Sequence, residues 1–238
     1  MEGRVAHSLH GYFLREGDTS LPVIYHVDRI RDGRSFATRR VVAKQQGKAI
    51  FNMSVSFQAP EEGLDHQTPM PDAPPPESVP TNLARLQAYK KRSDHPAVDF
   101  LLLLDRPIQR REIDHVDLLE PEAHTGTQRM WFRADGELGD DPVLHQALLT
   151  YASDYGLLES SFNEHGHSFL TEELIIASLD HAVWFHQPVR ADEWMLYVTQ
   201  SPRTSGGRGL NFGHIYSQSG VLLASVAQEG LMRIRKPR

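Results

Sequence analysis

An internal repeat constrains this chain more than any single motif. Tyr12-Phe13 and Trp184-Phe185 lie 172 residues apart, and so do Tyr25 and Tyr197. Gly33-Arg34 and Gly207-Arg208 are offset by 174, Gly47 and Gly220 by 173, and Ser54-Val55 and Ser225-Val226 by 171. Each pair is weak alone, but a nearly constant offset over some fifty residues is the mark of a duplicated unit. Period-2 hydrophobic patterning recurs in both copies. In Lys48 to Phe57 one face carries Ala49, Phe51, Met53, Val55 and Phe57, and the other carries Asn52, Ser54 and Ser56. In Val221 to Ile234 the matching file holds Leu222, Ala224, Val226, Gln228, Gly230, Met232 and Ile234. Turn signals, Gln45-Gln46-Gly47 and Gln218-Ser219-Gly220, precede both strands and predict hairpins. Further strands are expected at His7–Leu14, Val23–Ile30, Ser35–Lys44, Thr127–Arg133, Leu174–His186, Trp194–Gln200 and Leu210–Gln218, all rich in strand-favouring residues.

One helix stands out among these strands. Asp141 suits an N-cap and Pro142 the first helical position, and Leu144, Leu148, Tyr151 and Tyr155 then form an apolar stripe ending near Gly156. A complete unit therefore reads as a strand, a long helix and several antiparallel strands that wrap it. About 47 residues of strand and helix precede Leu174 in the second copy, whereas only six residues precede His7 in the first. The first unit is expected to lack its opening strand and helix. Either the chain starts inside a longer natural one, or a partner covers the open apolar face. Between the copies, seven of the fifteen prolines fall from Pro60 to Pro80, which predicts an extended, poorly packed linker. Thr81 to Arg92 reads as a short polar helix, and Val98 to Leu104 as an apolar run of open type. The expected division is residues 1–58, 59–107 and 108–238.

Composition removes several functions. With 25 basic against 31 acidic residues the net charge is −6, which argues against a nucleic-acid scaffold. The absence of cysteine excludes disulfide frameworks, cysteine nucleophiles and Cys-based zinc sites. No apolar run is long enough for a membrane span, and a cytoplasmic protein without membrane attachment is expected. G-x-S-x-G, P-loop and H-E-x-x-H patterns are missing, and Gly207-Arg208-Gly209 reads as a tight turn. Among the thirteen histidines the closest pairs, His7/His10 and His165/His167, lack carboxylates at a familiar ligand spacing, so no metal is expected.

Asp154, Ser178 and Gln228 fall where apolar side chains would be regular. Asp154 follows Tyr151 in the last turn of the helix, where partial burial and the negative end of the dipole would favour proton uptake, the property of a general base. Ser178 and Asp180 share a strand face with Ile176, Ala182 and Trp184. Gln228 lies in the apolar file of the last strand, where an amide needs partners and could hold a water or polarise a carbonyl. Each also has a plain structural reading as a satisfied hydrogen bond, and spacing alone does not bring the three together.

Longer stretches carry a resemblance. His7-Ser-Leu-His-Gly-Tyr-Phe-Leu-Arg-Glu-Gly-Asp18, Val27 to Val41, Phe57-Gln-Ala-Pro60, Tyr151-Ala-Ser-Asp154, Ser178-Leu-Asp-His-Ala-Val-Trp-Phe-His186 and Ala227-Gln-Glu-Gly230 resemble the acyl-CoA thioesterase II family. The match runs over nearly the whole chain in the same order. It implies an α+β tandem hot-dog fold, antiparallel sheets wrapped round long helices, with the first unit incomplete because the family's Gly-Gly-Gln-rich helix precedes the region opening at His7. It implies hydrolysis of medium- or long-chain acyl-CoA to fatty acid and CoA without a cofactor. By the same resemblance Asp154, Ser178 and Gln228 are the catalytic residues, orienting and deprotonating a water. CoA phosphates would meet arginines among Arg39, Arg40, Arg203 and Arg208, and a homo-oligomer is expected from edge-to-edge sheet pairing. A non-catalytic acyl-CoA-binding module is the alternative. A hot-dog dehydratase fits less well, since it relies on His with Asp or Glu.

Overall fold

In the computed structural model, which describes residues 3–104, 107–171 and 174–235, the strands join one antiparallel sheet. The first half supplies β1 (Val5–Phe13), β2 (Ile24–Asp32), β3 (Phe36–Gln45) and β4 (Lys48–Gln58). Helices α1 (Asn82–Arg92) and α2 (Pro96–Leu103) and strand β5 (Ile108–Glu112) follow. The second half holds β6 (Gln128–Ala134), α3 (Pro142–Ser153), α4 (Glu159–Asn163), β7 (Leu174–Ser178), β8 (Asp180–Phe185), β9 (Met195–Ser205), β10 (Arg208–Ser217) and β11 (Leu222–Ile234). No helix of the described residues is long and apolar enough to cross a membrane.

Strand order mirrors the repeat. The path runs β2-β3-β4-β1-β8-β11-β10-β9-β6-β5, with β7 pairing β11 off this path, so the order reads outward alike from the β1–β8 seam. The offset of 172 carries His10 onto Ala182, and these are the residues that face each other across the seam. The seam pair thus lies on the local two-fold that relates the copies. Gln46 and Gly47 both adopt positive φ between β3 and β4, as a tight hairpin requires. Gly206 and Gly207 do the same between β9 and β10, so the glycine cluster there is a turn, as its sequence implies.

Parts of β6, β9 and β10 are buried on both faces. Phe132, Tyr197 and Ile215 pack with Leu149 and Ala152 of α3 on one face. Their neighbours Trp131, Leu196 and Tyr216 turn to the other face, where Val79, Met70 and Ala73 cover them. The proline-rich segment is extended but not poorly packed: Trp131 Nε1 donates to the Pro74 carbonyl at 2.8 Å and Arg129 Nη1 to that of Asp72 at 2.6 Å. The side chains of the sheet supply the docking surface that composition alone does not reveal. All nine residues of β2, by contrast, are exposed.

Helix α3 starts as its caps dictate, with Asp141 accepting the Val143 N–H at 2.9 Å and Pro142 in the first turn. Its buried face matches the expected stripe only in part, since Leu148 and Tyr155 pack against the core. Leu144 and Tyr151 are exposed, while His145, Leu149, Ala152 and Ser153 are buried. His145 can lie inside because its ring is paired at both nitrogens, Nε2 with the Gly139 carbonyl at 2.9 Å and Nδ1 with the Ala191 N–H at 3.0 Å. The expected strand Leu174–His186 is broken at Leu179 into β7 and β8.

Candidate active site

The end of α3 meets β7 and β11 around one carboxylate. Asp154 caps the helix C-terminus. Its Oδ1 accepts a short hydrogen bond from Gln228 Nε2 and a loose one, 3.4 Å, from Ser178 Oγ. Gln228 is buried in the file expected for it, and its Oε1 has no partner among the described residues. The amide faces Asp154 through nitrogen because an oxygen there would oppose the carboxylate. The three candidates, 24 and 74 residues from Asp154 along the chain, therefore converge. Asp154 itself is exposed rather than partly buried, contrary to the sequence expectation.

Buried groups fix the helix end. Tyr197 Oη donates to the Ser153 carbonyl at 2.8 Å, and Ser153 Oγ pairs with His181 Nε2 at 2.8 Å. A Cβ at position 213 would stand 2.3 Å from the Tyr197 ring, so glycine there lets the ring reach its partner. Burial raises the Tyr197 hydroxyl well above its ordinary range, and the Asp154 charge adds to this. Burial also lowers the His181 imidazole, against the opposing pull of Asp154 and Asp180. His181 is thus packed against the end of α3.

A depressed imidazole has a thermodynamic sign. The unfolded chain takes up a proton that folded His181 resists, so its contribution is full above about pH 6.5 and is lost as pH falls through the folded value. His7, His186 and His214 are lowered by burial in the same direction. The melting temperature is expected to decline from pH 7 to pH 5, and His181→Gln, which keeps a polar end for Ser153 but cannot ionise, to flatten that decline. An equal slope in the variant would remove His181 from the account.

Asp154 opens onto a cavity of about 1040 Å³ between α1, α2 and the sheet. Leu86, Leu102, Phe162, Phe169 and Ile176 give it apolar walls. Its cations are Arg85, Arg110, Arg111 and Arg133, none of them among the four sequence candidates for phosphate contact. Arg39, one of those four, is buried and bonded to Asp32. The cavity also holds a chain the sequence reading missed: Glu112 Oε2 pairs with His115 Nδ1 at 2.7 Å, and His115 Nε2 with Tyr89 Oη at 2.6 Å. Burial disfavours the Glu112 charge, yet the His115 hydrogen bond and the Arg110 and Arg85 charges overcome it and hold the carboxyl well below its usual range. The i, i+3 spacing of Glu112 and His115 was the one local signal; Tyr89 joins only through the fold.

An antiparallel sheet laid on a central helix, with polar groups gathered at the helix end, defines the hot-dog class. A protein of unknown function with a hot-dog fold from Alicyclobacillus acidocaldarius matches at TM-score 0.74 and 20% identity, covering 98% of this chain and 80% of that one. Residues 106–231 match the acyl-CoA thioesterase family model, and residues 2–58 that of the acyl-CoA thioesterase N-terminal domain. The chain is 39% identical to acyl-coenzyme A thioesterase 8 of Mus musculus over 96% of its own length and 73% of the relative's. It is 41% identical to an acyl-CoA thioesterase II from Mycobacterium marinum of known structure, TM-score 0.78, covering 99% of this chain and 83% of that one. The chain belongs to the acyl-CoA thioesterase family.

Proposed function

We propose that the protein hydrolyses medium- and long-chain acyl-CoA thioesters, with Asp154, Ser178 and Gln228 as the catalytic residues. The observation that carries this is the shared Asp154 Oδ1, to which an amide from β11 and a hydroxyl from β7 both donate. With Oδ1 engaged, Asp154 Oδ2 takes a proton from water as the water oxygen attacks the thioester carbonyl. The carbon–sulfur bond then breaks, and CoA leaves as thiolate, to be protonated by solvent. Amide or backbone donors stabilise the oxyanion. No acyl-enzyme and no cofactor enter the scheme. The cavity supports the substrate class, since apolar walls and several arginines suit an acyl thioester with phosphates at its far end. The Mus musculus and Mycobacterium marinum relatives reported above are named as thioesterases, which favours turnover over a binding-only module.

The family matches, ending at 58 and opening at 106, support two hot-dog units, 1–58 and 108–238, with 59–107 connecting them. The enzyme would work in the cytoplasm. The exposed edge strand β2 supports assembly into a homo-oligomer.

Thiol release from dodecanoyl-CoA tests the site. Gln228→Leu removes the donor to Asp154 and is expected to lower kcat about a hundredfold, with KM changed only a few-fold. A kcat within twofold of the parent would overturn the assignment.

A further inference from the structure

The junction between β7 and β8 is irregular, and it is held from both halves of the chain. Ser178 faces Gly230 and Ala182 faces Ala227, so four steps on one side of the ladder oppose three on the other. Leu179 is the extra residue, a β-bulge beside the proposed catalytic groups. Its N–H donates to the Glu229 carbonyl at 2.9 Å, and its carbonyl accepts the N–H of Phe13, from β1, at 3.0 Å. The bulge leaves the Glu229 N–H without a facing carbonyl. Asp180 Oδ1 replaces it, at 2.7 Å. The other oxygen, Oδ2, meets His10 Nε2 of β1 at 3.0 Å, and the His10 ring stacks on Tyr12 at 4.9 Å between centroids.

We propose that His10 is a positioning residue for thioester hydrolysis: through Asp180 it fixes the bulge from which Ser178 and Gln228 reach Asp154. The inference rests on the catalytic reading of those three residues. Asp180 bonds the backbone of Glu229, the residue after Gln228, and stands two residues after Ser178. A carboxylate held at both oxygens cannot rotate, so the Glu229 N–H keeps one orientation and so does the amide before it. Without His10, Asp180 turns toward solvent and the ladder relaxes. Displacements near one ångström at reacting groups cost rate steeply while leaving substrate affinity largely intact. His10 touches neither substrate nor water in this role, and it belongs to the half of the chain that carries none of the three catalytic groups.

Steady-state thiol release from dodecanoyl-CoA, with melting temperatures, tests the role. His10→Ala is expected to lower kcat about tenfold, with KM within twofold and melting little changed. His10→Phe, which keeps the stacked ring but donates nothing, is expected to match it, and it carries the test if the alanine variant does not fold. His10→Gln, whose amide nitrogen can occupy the place of Nε2, is expected to recover most of the rate. His10→Ala combined with Asp180→Asn is expected to be no slower than Asp180→Asn alone. Parental kcat in His10→Phe, no recovery in His10→Gln, or losses that multiply in the double variant would each overturn the proposal. Asp154→Ala in the same assay separates the levels: if it is inactive while His10→Phe is normal, only the positioning role falls; if it is fully active, the catalytic reading falls and takes this role with it.

Discussion

Asp154→Asn is expected to leave a folded protein that releases thiol from acyl-CoA at least a thousandfold more slowly than the parent. The asparagine keeps an oxygen to accept from Gln228 and Ser178, so the geometry around the helix end survives. What disappears is the proton acceptor. A positioned general base contributes roughly 10²–10⁴ in rate, and the upper part of that range applies because no cofactor or acyl-enzyme route substitutes for it in the scheme. The melting temperature should hardly move. Asp154 is exposed at the negative end of α3, where a neutral side chain is no worse placed than a charged one. A rate within tenfold of the parent would show that the carboxylate is not the base, and a large fall in melting temperature would give it a structural role instead.

Trp131→Ala is expected to produce the largest loss of stability. The indole is almost fully buried between the outer face of the sheet and the segment that runs from Met70 to Val79. Truncating a buried tryptophan costs about 3–5 kcal/mol, which for a chain of this size lowers melting by roughly 10 °C. The loss extends beyond the cavity, because the Nε1 bond to the Pro74 carbonyl goes as well and leaves that oxygen unpaired. Residues near Pro74 should then become susceptible to limited proteolysis while β9 and β10 stay protected. Equal protection of the segment in parent and variant would show that it docks by other contacts.

The repeat made the duplicated strand set legible, but not the β1–β8 seam that joins the copies, because that pairing links residues far apart along the chain. Caps located α3 for a local reason: Asp141 and Pro142 act within their own turn. Its inward face was read only in part, through Leu148 and Tyr155, because hydrophobicity counts do not see a histidine or serine that is buried and satisfied, as His145 and Ser153 are. The same blindness hid α4, whose Ser160 and Ser161 are buried on Thr199 and Asn211. The proline-rich stretch misled because its docking depends on Trp131 and Tyr216, far away in sequence. Asp154, Ser178 and Gln228 stood out individually as polar residues in apolar patterns, but only the family resemblance joined them. Nothing in the sequence marked His10 or Tyr197 for these roles, since His10 acts through the Asp180 carboxylate and Tyr197 through the Ser153 carbonyl at the end of α3, both distant along the chain.

The β1–β8 seam has a mechanical consequence. The two copies are joined by a hydrogen-bonded ladder rather than by side chains alone, and one copy cannot swing against the other without breaking several main-chain bonds together. Hinge closure of half upon half is therefore not open to this molecule. Of the elements that line the cavity, α1 and α2 lie outside that ladder, so their displacement would leave it whole.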